Sequence, residues 1–516
     1  MVGAPTYTTV AAKGGVVAGA GQLGTLIPAG AVWSSLGLPS LINEDFAVGF
    51  LGTYKVGTTS TRLVGYRPDS ASEFVPMGTV GEPIVDWFVE PFPGVTIKAI
   101  QEPVFSSNAA FYTATLSGTG ITAQNDVGLY FNDRTGLNYE VLREGGFVSD
   151  GAGAAWKAVT SIVCADQTVF FTATLQGAGV TAANNTGLFA WQSGELQTIW
   201  REGQTEMMID DEPKPVKSLK ALYAVSGSPG HGRLDRDANA IIALVTYPDG
   251  ETEPVRVQFG FYVNTLGAVL GTHSVANARV VTAGIACHTD GTNLSRYFFL
   301  GKFQSGLGGV TRANDTAILG TQRETAEQLL IAREGDASGV GATVFKSFKD
   351  PVAGGHNEPG DETRVGFIAD VAGVGVTAAS NTGIWEWREE TNSLVALAIE
   401  GGEAPGGGHY KSFTSLAMLT GRGVLFSAEL ADATIADDTG LWAVDSVGDL
   451  RKLLREGDDL GSGRVVKTFK VLGAVAGSSA QTRAFPNVFL EFGPNGVAAL
   501  VDFTNGGREI IVIGVP

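Results

Sequence analysis

The chain has 516 residues, with 35 Lys and Arg against 53 Asp and Glu, a formal net charge of −18. That balance offers no basic face to nucleic acid or to an anionic bilayer surface, and no apolar run is long enough to cross a membrane as a helix. Its 71 glycines and 44% hydrophobic residues are spread evenly, with no Pro/Ser-rich linker, which fits one all-β chain with many tight turns.

The N-terminal MVGAPTYTTV has no basic stretch leading into an apolar one and does not read as a secretion signal. The expected location is extracytoplasmic or cell-surface if a signal has been removed, and cytoplasmic otherwise. Thr8 to Gly15 and Val32 to Leu36 read as strands. Between them Gly19-Ala20-Gly21-Gln22-Leu23-Gly24 matches GxGxxG. A dinucleotide loop needs a helix opening at its third glycine, which Pro28 and Gly30 interrupt, so the segment reads as a loop.

From residue 46 the chain repeats. Thr113-Ala114-Thr115-Leu116 returns as Thr172-Ala173-Thr174-Leu175, and a turn motif follows at Asn125 to Tyr130, Asn184 to Phe189, Asn314 to Leu319, Ser380 to Trp385 and Asp437 to Trp442. A second motif, Arg-Glu-Gly, stands at Arg143, Arg201, Arg333 and Arg455, with Ile399-Glu400-Gly401 as a variant. A third centres on a lysine 11 to 15 residues after that Glu: Lys157, Lys217, Lys346, Lys411 and Lys467, with Lys98 earlier in the chain. Asn and Asp close the turn and Gly accepts its positive φ. Each unit reads as four short strands over 46–101, 108–164, 168–239, 240–288 (a diverged copy), 296–362, 364–420 and 422–485.

Units this small cannot bury an apolar face alone, so neighbours must stack. The last segment, 497–516, supplies two strand patterns and the N-terminal 1–43 the other two, so both ends should complete one unit. The expected fold class is an all-β single closed β-propeller of about eight four-stranded blades, or seven if the diverged copy is not a true one.

The aromatic after the turn glycine (Tyr130, Phe189, Trp385, Trp442) is expected to pack between blades. The motif Glu and the following Lys are expected to pair across consecutive strands, as Glu456 with Lys467, the alternative being a ring of lysines that binds an anion. In the split unit Lys13 stands at the Glu position and Ser34 at the Lys position. Cys164 and Cys287 read as small buried hydrophobes and the five histidines as solvent-exposed, although Cys287, His288 and Asp290 have ligating chemistry. Asp235, Asp237 and Asn239 place oxygens at alternate positions, a calcium candidate without the glycine and distal Glu of a calcium loop. Calcium is the one cofactor considered. Candidate binding loops are the insertions Gln204 to Pro215, Gly227 to Asn239 and Ala353 to Thr363.

Arg333-Glu334-Gly335-Asp336 and Arg455-Glu456-Gly457-Asp458, each after an Asn/Asp turn, resemble the tandem NxxGxxxxR-type repeats of environmental bacteria such as planctomycetes and verrucomicrobia. The resemblance implies secreted or surface-anchored propellers without an assigned reaction. The expected function is a non-enzymatic binding or assembly module for a polysaccharide or protein partner. Alternatives are a polysaccharide hydrolase or lyase with carboxylates in a central funnel, and a self-assembling surface-layer or filament subunit. No catalytic residue is assigned.

Overall fold

The computed structural model describes all residues except 1–2, 22–26, 42–46, 69–71, 102, 106–108, 134, 149–152, 166–167, 204–205, 225–239, 261, 266–270, 274–277, 284–286, 290–295, 323–327, 350, 355–362, 420–422 and 472–495. Among the described residues there are strands and turns and no helix. Seven antiparallel four-strand units follow one another over 32–79, 91–143, 154–201, 218–265, 278–333, 343–399 and 410–455. We number them sheets one to seven. Sheet eight joins Val466–Lys470, Gly496–Phe503 and Arg508–Gly514 to the N-terminal Thr6–Ala12. A single parallel pair, Thr252 with Thr282, connects sheets four and five.

These pairings correct the phase of the expected units. The lysine-bearing strand closes no unit; it opens the next sheet. Ala154–Ala165, for example, pairs with Thr168–Gly177 rather than with the strand before it. In the same way the N-terminus gives sheet eight one strand, not two, and Val32–Leu36 belongs to sheet one. The reason lies in the Arg-Glu-Gly link. Its glycine sits at left-handed φ, +77° at Gly145, +77° at Gly401 and +85° at Gly457, where an L side chain is strained. That turn carries the chain off one sheet and clips it to the next. Gly457 N–H donates to Val466 O and Val466 N–H returns to Asp458 O, both at 2.8 Å. The same clip joins Gly145 to Trp156, Gly335 to Phe345, Gly401 to Tyr410 and, from sheet eight to sheet one, Gly14 to Trp33.

The other motif residues are absorbed by the same corner. Asn125, Asn184, Asn314 and Asp437 each accept, through Oδ1, the N–H of the Thr three residues earlier, at 2.6 to 2.7 Å. The motif arginine holds that turn from the neighbouring strand: Arg201, Arg333 and Arg455 donate Nε to the carbonyls of Asn184, Asn314 and Asp437 at 3.0, 2.9 and 2.7 Å.

Tyr130, Phe189, Trp385 and Trp442 are fully buried. Trp442 stacks on Phe426 at 5.8 Å, meets Tyr410 edge-on at 5.2 Å and donates its indole N–H to Pro405 O. Hydrophobic clusters run from sheet to sheet, one uniting sheets six to eight and another placing Val10, Ala498 and Ile510 with Phe50 of sheet one. Val16 and Val32 bridge around the Gly19 to Gly21 turns, so the described part of the GxGxxG match is a loop.

Candidate functional site

The expected Glu–Lys pairs do not form. Every first strand contains a β-bulge, and in five sheets the extra residue is the motif lysine: Lys98, Lys157, Lys346, Lys411 and Lys467. A bulge residue has no backbone partner in the ladder, and all five lysines are exposed. Lys411 reaches Glu429 at 3.2 Å rather than Glu400. Glu400 and Glu456 are buried and the other motif glutamates half-buried. Glu334, Glu400 and Glu456 are held by Thr groups, Glu456 is also bonded to Asp438, and Glu144 lies within electrostatic reach of Lys157. Glu400 accepts the Thr382 N–H at 3.1 Å and Glu334 the Thr316 hydroxyl at 3.2 Å. Glu456 takes the Thr468 hydroxyl, and burial pushes the Glu400 and Glu456 carboxyls above their ordinary value. The repeated residues therefore build the scaffold.

Of the sequence candidates, Asp235, Asp237, Asn239 and the insertion Gly227 to Asn239 lie outside the described residues. So do Asp290 and most of Ala353 to Thr363. Cys287 and His288 lie on a short strand paired with Tyr297 and Phe298. Cys164 is buried, with its sulfur 3.1 Å from Phe105 O. Gln204 to Pro215 is not an open loop in its described part. Met207–Ile209 and Glu212–Lys214 form a hairpin whose Met207 and Ile209 join the core. Among the described residues no group of three His, Cys, Asp or Glu side chains could hold a metal.

The clearest departure from the repeat is the link between sheets one and two. Val80 and Gly81 take the Glu-Gly position, Val80 N–H donating to Arg62 O and Gly81 N–H to Ile97 O. The chain then inserts Pro83–Val85, which pairs antiparallel with Pro91–Ile100 and, at one residue, parallel with Tyr139 on the far edge of sheet two. Asn138 secures this wrap by accepting the Tyr112 hydroxyl at 2.6 Å and donating to Glu82 and to Pro83 O, each at 3.2 Å. Burial raises the Glu82 carboxyl above its usual value, against the bonds it accepts from Asn138 and Thr79. Burial also raises Glu140, partly offset by Arg143 and reinforced by Asp86. Beside it the buried Tyr130 hydroxyl has no hydrogen-bond partner.

At the turn of the insert, Asp86 Oδ1 accepts the N–H groups of Phe88 at 2.9 Å and Glu90 at 2.8 Å. These bonds hold Val89 at φ 68°, a left-handed conformation that costs a β-branched residue about 1–2 kcal/mol. Trp87 wedges against Tyr139 and Trp191, both at 5.3 Å, and lies flush on Gly194 of the sheet-three hairpin, where a Cβ would approach within 2.4 Å. Phe88 is left 83% exposed. The result is an aromatic tip held by ring contacts and Asp86 hydrogen bonds, with Glu90 and Glu195 adjacent in the chain to its turn and to Gly194.

Sequence reasoning passed over this site. Two signals were available: Val80 where other links carry Glu, and a link to Lys98 longer than the others, holding Asp86-Trp87-Phe88-Val89-Glu90.

The fold and this site define a helix-free protein, in its described part, of four-stranded antiparallel sheets with both chain ends sharing one sheet. Residues 9–240 and 292–506 match the family of unknown function DUF7453, and the chain belongs to that family. No curated protein matches it. Solved structures similar to it include an ancestral GH74 enzyme, at 12% identity and TM-score 0.36 over 91% of this chain and 56% of that one. The chain thus spans little more than half the length of that enzyme. Others are an oligogalacturonate lyase in complex with manganese (9%, TM-score 0.34, 100% and 99%) and the β-propeller domain of the Trilobed protease from Pyrococcus furiosus (10%, TM-score 0.33, 82% and 99%).

Proposed function

We propose that the eight sheets close into a single ring, an eight-bladed β-propeller, and that the ring is a binding module for a neutral polysaccharide engaged by the Trp87–Phe88 tip. Closure is supported by the seam in which Thr6–Ala12 pairs with Arg508–Gly514, and by the Gly14–Trp33 clip that repeats the link found between other consecutive sheets. A ring of sheets leaves no terminal unit with a bare apolar face.

The observation that carries the binding site is the strained turn. A β-branched residue is held left-handed by two carboxylate bonds, and the outcome is an exposed phenyl ring on a buttressed indole. Residual strain of this kind collects where a side chain must be presented in one pose. A sugar ring has an apolar C–H face for Phe88 and Trp87 and hydroxyl edges for Asp86 and Glu90. The acidic flank and the net charge of −18 select against uronic acid and sulfated chains.

Affinity electrophoresis in gels containing neutral or acidic polysaccharides, with Phe88→Ala and Trp87→Ala beside the parent protein, tests this. Retardation by a neutral polysaccharide that Phe88→Ala abolishes supports the module. Equal mobility of parent and variant in every gel refutes the site. A second reading, a hydrolase or lyase, rests on Glu82 and Glu140, two carboxyls raised by burial beside the same insert. It predicts turnover of the retarding polysaccharide that Glu140→Gln removes.

A further inference from the structure

The seam of sheet eight contains a surface cavity of about 310 Å³ lined by Lys13, Lys467, Thr468, Asp502, Phe503 and Arg508. In five other sheets the N–H of the motif glutamate donates to the first residue of the third strand. The pairs are Glu144 to Val127 O, Glu202 to Thr186 O, Glu334 to Thr316 O, Glu400 to Thr382 O and Glu456 to Thr439 O. In sheet eight Lys13 N–H makes the same bond to Arg508 O at 2.8 Å. Lys13 thus stands at the backbone position of the motif glutamate, and Arg508 at that of the Thr or Val. Both replacements add positive charge to one rung, and the bulge places exposed Lys467 beside them. One carboxylate answers these cations: Asp502, bound twice by Arg508 at 2.5 and 2.9 Å. The Arg508 hydrogen bond, with the charges of Arg508, Lys467 and Lys470, holds that carboxyl below its usual range.

We infer that this cavity is a binding site for a small-molecule oxyanion, taken by Lys13 and Lys467 at its mouth with Arg508 fixed behind them by Asp502. The volume is that of a small ligand site. Because Lys13 follows the N-terminal strand while Lys467 and Arg508 belong to C-terminal strands, the site is complete only when the seam is formed. The anion would therefore stabilise the closed form by mass action.

Isothermal titration of the full chain with inorganic phosphate and, separately, with succinate tests the site, with sodium chloride at matched ionic strength as the control. The two arms distinguish a phosphoryl from a carboxylate ligand. Saturable binding of one probe, weakened tenfold or more in Lys13→Glu and in Lys467→Gln, supports the site, as removal of a charge-assisted hydrogen bond predicts. Lys467→Gln alters an exposed side chain, so the test survives if Lys13→Glu disturbs the seam. No saturable binding beyond the chloride control, or unchanged affinity in Lys467→Gln, overturns the inference. Phe88→Ala leaves this binding unchanged, which separates the result from that of the polysaccharide site.

Discussion

If the chain ends fasten a ring, a small lesion in the N-terminal strand must weaken the whole molecule rather than fray one end. Two residues of Thr6–Ala12 suit the test. Val10 is buried, at 6% exposure, in the cluster shared by sheets eight and one. Val10→Ala removes two carbon groups at about 0.8 kcal/mol each and leaves a small cavity, for a loss of about 2 kcal/mol. Tyr7 donates its hydroxyl to Leu453 O at 2.7 Å, joining sheet eight to sheet seven, and burial with Asp458 nearby pushes that hydroxyl up to about 12. Tyr7→Phe deletes one part-buried hydrogen bond, worth about 1 kcal/mol. The double variant should lose about 3 kcal/mol, a sizeable share of the roughly 5–15 kcal/mol typical of a folded domain. Urea unfolding followed by fluorescence of the 8 tryptophans should show one transition displaced to lower denaturant. A loss for Val10→Ala below about 0.5 kcal/mol would refute the reasoning, since that is the scale of substitutions away from packed features. So would a separate early transition confined to the seam.

Two further predictions rest on buried carboxyls. Glu386 is fully buried and accepts Arg388 Nε at 2.9 Å, Arg364 Nη1 at 3.3 Å and, from sheet seven, Val424 N–H at 3.1 Å. Glu386→Ala leaves two guanidinium groups and an amide without this partner and should cost about 3 kcal/mol in denaturant unfolding; a loss under about 1 kcal/mol would count against the network. Glu82 tests pH dependence. Its folded value is raised, so the native state holds its proton longer than the unfolded chain, and stability falls as pH climbs from the ordinary 4.5 through that raised value. Glu82→Gln removes this term, so the variant should lose less stability than the parent between pH 4 and pH 7. Melting curves with identical pH slopes would contradict the assignment.

Much of this molecule is written locally. The Asn/Asp turns and the left-handed motif glycines follow from residue types whose preferred conformations need no distant partner, and the buried aromatic after each turn and the shared final sheet follow from the order of the motifs. Lys13 at the glutamate position was legible in the same way, from motif order alone, and the Lys13–Arg508 backbone bond bears it out. The Glu–Lys pairing failed because it assumed that consecutive strands share a sheet. Which edge a strand joins is set by the clip at the link and by the strand it then pairs with, which motif spacing does not encode. The bulge that expels five of the motif lysines is invisible for the same reason: one extra residue matters only against a partner strand. The aromatic tip at Trp87 and Phe88 needed the most tertiary information, since its indole rests on Trp191 and Gly194, about a hundred residues away in another sheet. Sequence by itself determined the repeat and its turns, because hydrogen bonds among near neighbours fix those, and motif order showed that the two chain ends complete one sheet. The phase of the sheets, the partners of the charges and the placing of the site came from pairing and packing between strands, which no single segment of the sequence displays.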